Sequence, residues 1–443
     1  MPLRLPRRLA AAALPSLIAG AAAAQAPAAV DPRVAAAVTR LTPQITELRH
    51  TLHQNPELGN QEVKTAALVA ERLRALGLEV RTGVAKTGVV GVLRGGRPGP
   101  VVAVRADMDA LPVVEDTPYP WKSTARGSWQ GREVGIAHAC GHDVHTAVQL
   151  GVATILAGMK AELPGTVMFI FQPAEEGPPQ GEEGGAKLMM KEGVFRDLRP
   201  SAIFGLHTKA SMEVGKIGFT PGPALAAADV FRSTIKGKQS HGAQPHLSID
   251  PVVIAAQAIL ALQTIRSRNV DPMAAGLLSV GIVRGGERWN IIPAEVQLEG
   301  TVRTYDTGVQ DLFERRMREI LDGTTKAGGG SFTLDYERRY PLTYNDTLLT
   351  ARTVPSLRRA AGAANVVQLP PWSASEDFSE YTAAAPGFFY MLGSLKPGTT
   401  SGDHHTPTFM ADDGAIPVGM RVMSTVLLDY LSSGGTGQRA AIR

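Results

Sequence analysis

Residues Ala137–His145 read A-H-A-C-G-H-D-V-H and contain Cys140, the only cysteine of the chain. His138, His142 and His145 flank it, so a thiol and three imidazoles share nine residues. These are the soft and borderline donors that hold zinc and similar divalent ions. Two further islands carry compatible chemistry, Gln172-Pro-Ala-Glu175-Glu176 and Gly205-Leu206-His207, and each follows a short apolar run. Together they imply metal-dependent hydrolysis with ligands drawn from several strand ends. A free thiol is open to oxidation, and coordination protects it, which favours Cys140 as a ligand.

Glu175 and Glu176 are adjacent just past a buried apolar run. One can bind a cation while its neighbour faces a substrate as a base. The alternative is a solvated acidic turn, since Glu182 and Glu183 follow in the same loop. The nearby Cys/His cluster favours the functional reading. In Arg105-Ala-Asp107-Met-Asp109, a carboxylate could bridge metals or orient a ligand imidazole, or the pair could simply cap a turn. His241 and His246, and then His404 and His405, lie in loops with glycine or proline neighbours, where function concentrates. His50 and His53 fall on the first predicted helix and read as surface or packing residues.

The elements that must position these groups follow from apolar periodicity. Helical spacing runs over 31–55, 62–76, 146–159 and 186–192; short β-branched or apolar runs at 89–93, 101–104, 166–171 and 202–206 read as strands. Such alternation predicts a mostly parallel sheet covered on both faces. Ligands of such sheets bind beyond the carboxyl ends of strands. Arg105–Asp109, Gln172–Glu176 and His207 each follow one of these predicted strands. Near Gly222 the rhythm changes. Strand 228–236, helix 251–266, strands 276–283 and 294–304, helix 309–325 and strand 331–339 have the order of a ferredoxin-like unit. Helix 347–361, strand 388–392 and helix 415–431 then resume the first pattern. The expected fold is α/β, with a discontinuous metallohydrolase domain at 31–224 and 341–433. An α+β domain inserted at 225–340 would serve as a lid or dimerisation unit.

The 443 residues suit two or three domains, and 44% apolar against 19% charged residues permits a large core. The formal charge is +4, but three of those charges are Arg4, Arg7 and Arg8 of an acid-free leader, leaving one for the rest. That balance gives no support to a nucleic-acid partner. Residues 1–25 have a basic start, an apolar stretch and the small residues Ala22-Ala23-Ala24, the anatomy of a cleaved signal peptide. Export to the periplasm is expected, and Arg7-Arg8 is compatible with a twin-arginine route. No later stretch reaches the roughly 18 apolar residues of a membrane span.

With its motifs assembled, the chain resembles the zinc-type metallopeptidases of the aminoacylase and glutamate-carboxypeptidase family, M20. It is most similar to the amidohydrolase branch that includes hippurate hydrolases, indole-acetyl-amino-acid hydrolases and related aminoacylases. The motifs are R-A-D-M-D-A-L-P at Arg105–Pro112, H-A-C-G-H-D at His138–Asp143, Q-P-A-E-E at Gln172–Glu176 and G-L-H at Gly205–His207. N-I-I-P at Asn290–Pro293, G-T-V-R-T at Gly300–Thr304, S-E-D-F at Ser375–Phe378 and H-T-P-x-F at His405–Phe409 complete the set. The resemblance implies two divalent ions, Zn or Mn, on Cys140, His142, Glu176, His207 and His405, with Cys140 as the bridge. It implies Glu175 as general base, His241 as the group steadying the oxyanion, and Asn290 and Arg303 near a substrate carboxylate. Many relatives in the wider family carry His-x-Asp where this chain has Asp107-x-Asp109. Asp109 is therefore expected beside the ligands rather than among them, and Asp107 is not assigned as one.

The implied reaction is amide hydrolysis on an N-acyl amino acid or short peptide. Domain closure, or a homodimer through the inserted domain, would bring His241 to the metals. A metallo-carboxypeptidase or dipeptidase is the near alternative. Two others belong to different classes: a cysteine hydrolase using Cys140 with His142 or His138, and a periplasmic binding protein that captures acyl amino acids without turnover.

Overall fold

The computed structural model describes residues 29–435; the leader read at 1–25 lies outside the described residues. Its larger sheet has eight strands among the described residues. The central four, in spatial order Pro164–Gln172, Arg97–Asp107, Ala202–Glu213 and Gly387–Leu395, are mutually parallel. Strands Glu79–Val84 and Gly88–Arg94 add antiparallel on one side, and Ile217–Phe219 adds antiparallel on the other before the parallel edge strand Val366–Gln368.

The central strands are apolar on both faces because both faces are covered. Along Pro164–Gln172, Val167, Phe169 and Phe171 pack into one core, while Met168 and Ile170 point into the other. The first core is closed by helices Pro32–Gln54, Val63–Ala75, His142–Ala157, Thr347–Ala361 and Ala415–Ser432. The second is closed by Gly185–Lys191 and by Phe378 and Tyr381. This is the period-two alternation of a strand read from both sides.

Residues 227–340 build a separate four-stranded antiparallel sheet, ordered Gly276–Arg284, Glu295–Thr304, Ala227–Lys236, Ser331–Tyr340. Helices Pro251–Thr264 and Thr307–Ala327 supply its core, as Phe313, Met317 and Leu262 meet Phe231 and Val302. The strand–helix–strand–strand–helix–strand order matches the ferredoxin-like expectation. No helix among the described residues is long and apolar enough to cross a membrane.

Among the element boundaries that differ from the periodicity, two matter most for the site. Helix His142–Ala157 begins a turn before residue 146. Its first turn carries His142, Asp143 and His145, which an apolar pattern cannot register. Strand Ala202–Glu213 does not stop at Leu206, so His207 lies inside the strand and not after it. The cause is asymmetric pairing. Its neighbour Arg97–Asp107 is paired with it only as far as Arg105↔Gly205, whereas Gly387–Leu395 stays paired through Met391↔His207 and beyond. His207 is thus past the end of its pairing with one neighbour and still held by the other.

Candidate metal centre and cleft

Gly141 separates Cys140 from His142 and takes φ 91°, a conformation costly for residues with a Cβ. A Cβ there would also lie 2.3 Å from Thr208 Oγ1. This turn starts the helix at His142 and aims two donors at one place. His142 Nδ1 lies 2.8 Å from the backbone oxygen of Asp109. A carbonyl can only accept, so Nδ1 carries the proton and Nε2 faces the cluster, where it is buried without a hydrogen-bond partner. His207 repeats the device: Nδ1 donates to the Thr208 carbonyl at 2.6 Å, leaving Nε2 3.4 Å from Cys140 Sγ. An imidazole oriented through one nitrogen and bare at the other is the form a metal requires.

Cys140, His142 and His207 offer donor atoms within 4.8 Å of one another, and so do Cys140, Glu176 and His405. Cys140 belongs to both groups, so its sulfur stands between two candidate cation positions. His405 Nε2 is 3.0 Å from Glu176 Oε1. The backbone is in the left-handed region at His405, φ 67°, and at Ala174, φ 49°, immediately before Glu175. Such conformations persist in non-glycine residues where the surroundings hold them. Here the Ala174 N–H donates to buried Glu62 at 2.8 Å, and the His405 N–H donates to the Ala139 carbonyl at 2.8 Å.

Several polar residues are excluded as ligands by their own hydrogen bonds. His145 Nε2 accepts the Thr208 N–H at 2.8 Å while Nδ1 donates to Asp107 at 2.6 Å, so neither nitrogen is free. His404 Nε2 accepts from the Ala210 N–H at 3.2 Å, leaving the protonated Nδ1 3.7 Å from Cys140 Sγ. It can support a thiolate but has no lone pair to give. Asp107 is committed to Arg105 at 2.6 Å as well as to His145. Asp109 receives His142 on its carbonyl and the Glu176 N–H on Oδ2 at 3.0 Å. His53, read as an ordinary helix residue, lies buried 3.0 Å from both Asp143 and Glu115, beneath the same helix start.

Without a cation the cluster holds protons. Burial and the neighbouring Glu176 and Glu175 push the Cys140 thiol up. Burial opposes a charge on His142, but Asp107 and Asp109 raise it to about 10. Burial and then Glu376 push Glu175 well above the carboxylate range. Burial would also raise Asp107, but His142, His145 and Arg105 hold it well below that range. A surplus of anionic and lone-pair donors in one buried place is what divalent ions compensate. The cysteine-nucleophile alternative fares poorly here, since an activated thiol needs its pKa lowered.

Glu175 faces a cleft of about 370 Å³ that also holds Cys140, Glu176, His207 and His405. Arg303 reaches the same cleft from the inserted sheet; it is partly buried and has no ion-pair partner among the described residues. His241 and Asn290 do not line it. They sit together on the inserted domain, where Ser240–His241 pairs with Ile291–Ile292 and the Gly242 N–H donates to the Asn290 carbonyl at 2.8 Å. A single chain therefore divides the expected site into a cleft group and an outlying pair.

Sequence reasoning passed over Arg105, Glu376 and Asp377 as functional residues. Arg105 is fully buried, its Nη2 2.9 Å from both Glu376 and Asp377, and Gln172 donates to both Asp377 oxygens at 2.8 Å. This network accounts for the polar residues of Arg105–Asp107, Gln172 and the S-E-D-F segment together. The signal available was a cluster of charges next to strands too apolar to be exposed.

A parallel-sheet domain, an inserted α+β domain and paired donor groups around one thiol define a metal-dependent hydrolase. The chain belongs to peptidase family M20/M25/M40, whose model matches residues 103–429. It is 37% identical over 381 residues to the N-acetyl-L-cysteine deacetylase of Bacillus subtilis, covering 86% of each chain. It is 37% identical over 379 residues to thermostable carboxypeptidase 2 of Saccharolobus solfataricus, covering 85% of this chain and 92% of that one. Among solved structures it resembles the Bacillus subtilis YxeP protein, a dinuclear metal-binding peptidase of the M20 family. The TM-score is 0.75 with 33% identity, over 89% of this chain and 99% of that one. Membership in this hydrolase family sets aside the capture-only alternative.

Proposed function

We propose that the protein hydrolyses the amide bond of N-acyl amino acids, releasing a carboxylic acid and a free amino acid. The observation that carries this is Arg303, an unpaired guanidinium in the same cleft as Glu175 and the donor cluster. A guanidinium suits a carboxylate because it can bind it through two parallel hydrogen bonds. The leaving amino acid supplies such a group.

Cys140, His142, Glu176, His207 and His405 would hold two divalent ions, Zn or Mn. When bound, such ions acidify a water and polarise the scissile carbonyl. Glu175 takes the water's proton and returns it to the departing amine. His142 and His207 stay oriented through Asp109 and Thr208 while this happens. His241 donates to the developing oxyanion, and Asn290 joins Arg303 at the carboxylate.

His241 and Asn290 must then reach the cleft by closure of the inserted domain or from a second chain. A homodimer is supported by apolar side chains exposed on that domain, with Leu260 at 72% and Val283 at 57%. Val283 lies on Gly276–Arg284, one of the sheet's two edge strands, a ready place for a second copy to add.

The test is amine release from metal-loaded enzyme given N-acetyl, N-benzoyl and longer acyl amino acids beside dipeptides. Cleavage of dipeptides alone would favour the carboxypeptidase reading. That reading has support of its own, since Arg303 would meet any substrate's free carboxylate and one relative is a carboxypeptidase. Export of the mature chain remains part of the proposal, and N-terminal sequencing should find it starting near Gln25 or Ala26.

A further inference from the structure

The cleft is lined by two unlike groups of residues. In the first, Arg303 and Tyr340 flank Ala228 on neighbouring strands of the inserted sheet. The Tyr340 hydroxyl is 3.4 Å from the Glu175 carbonyl oxygen, which joins this group to the catalytic carboxylate. The second group holds Trp372, whose ring centroid is 6.2 Å from that of His207 and 5.9 Å from that of His404. Leu225 lines the cleft with it.

This second group is built rigidly. Trp372 and Leu225 form a parallel bridge: the Trp372 N–H donates to Ala224 at 2.9 Å, and the Ala226 N–H donates to the Trp372 carbonyl at 3.2 Å. Lys209 Nζ sits 4.3 Å from the indole centroid, a cation–π contact that holds the ring in its pose. The partly exposed indole, backed by the buried Leu225, presents a flat apolar surface beside the donor cluster, and little entropy is lost when a ligand meets it.

We propose that Trp372, backed by Leu225, is a specificity-determining residue, forming the wall against which the acyl group packs and selecting an aromatic acyl group over acetyl. The inference rests on the amide-hydrolysis reading. With the substrate carboxylate at Arg303 and the scissile amide at Glu175 and Cys140, the acyl group extends toward Trp372. A planar ring gains offset or edge contacts with indole that a methyl group cannot supply. The cleft volume of about 370 Å³ falls within the range of small-molecule sites, roughly 300–1,000 Å³.

The test compares kcat/KM for the N-benzoyl and N-acetyl derivatives of one amino acid in metal-loaded wild type, Trp372→Ala and Trp372→Phe. Metal content is measured in each. Wild type should favour benzoyl, Trp372→Ala should lower the benzoyl-to-acetyl ratio about tenfold, and Trp372→Phe should recover most of it. A ratio unchanged in Trp372→Ala overturns the wall and leaves the hydrolase reading standing. So does a Trp372→Phe ratio no nearer the wild-type value than that of Trp372→Ala. A wild type that releases no amino acid from either derivative overturns the hydrolase reading, and the wall with it.

Discussion

His142 gives its Nδ1 proton to the backbone oxygen of Asp109 at 2.8 Å and is left with a buried, unpartnered Nε2. The ring donates to a main-chain atom, with Asp109 Oδ1 also 3.2 Å from Nδ1, while Asp109 Oδ2 receives the Glu176 N–H at 3.0 Å. Removing that carboxylate should loosen Glu176 more than His142. We expect Asp109→Ala to weaken metal binding by roughly 10–100-fold, in line with the loss of other groups that orient ligands. Titration of the apo-protein with Zn and Mn, read by elemental analysis, checks this; unchanged affinity would remove Asp109 from the site.

Glu175 and Glu176 are neighbours with different surroundings. Glu176 lies 3.0 Å from His405. Glu175 lies among Arg105, Glu376 and Asp377. Glu176→Ala should lose metal and activity together. Glu175→Gln should keep the fold, the metals and substrate binding, yet lose several orders of magnitude in kcat because an amide cannot take the water's proton. Near-normal turnover by Glu175→Gln, or a covalent acyl adduct on Cys140 seen by mass spectrometry, would be incompatible with the proposed mechanism.

The outlying pair invites a complementation experiment. His241→Ala should lower kcat by roughly 10²–10³ with metal content unchanged. If the histidine comes from a second chain, unfolding and refolding Glu175→Gln together with His241→Ala should restore activity. Each mixed dimer then has one site with both groups intact. If closure within one chain brings His241 in, the mixture stays as inactive as its components.

Metal affinity should rise with pH. Without a cation the facing carboxylates raise His142 to about 10, and burial raises the Cys140 thiol. Both must give up protons to ligate, so binding releases protons and becomes stronger as pH rises through neutrality, by about tenfold per unit for each proton released. Competition with a chelator of known affinity at pH 6, 7 and 8 measures the slope. A flat profile would mean that these groups do not ligate.

The sequence by itself determined the architecture and most of the donor set. The central strands are so apolar that they had to be buried on both faces, and the rhythm of residues 228–339 differs enough to mark a second sheet. Cys140, His142 and Glu175-Glu176 were legible because such residues are rare beside buried strands without a chemical reason. Tertiary structure alone decided which of several similar residues is available. His404 and His405 are adjacent and identical in type, but the Ala210 N–H occupies Nε2 of His404, while His405 meets Glu176. His145 looks as good a ligand as His142 until the Thr208 N–H takes its second nitrogen. His207 enters the site because pairing with one neighbouring strand stops before it while pairing with the other continues. Each of these outcomes depends on a hydrogen-bond partner or strand register contributed by a distant part of the chain, and local sequence carries no record of it.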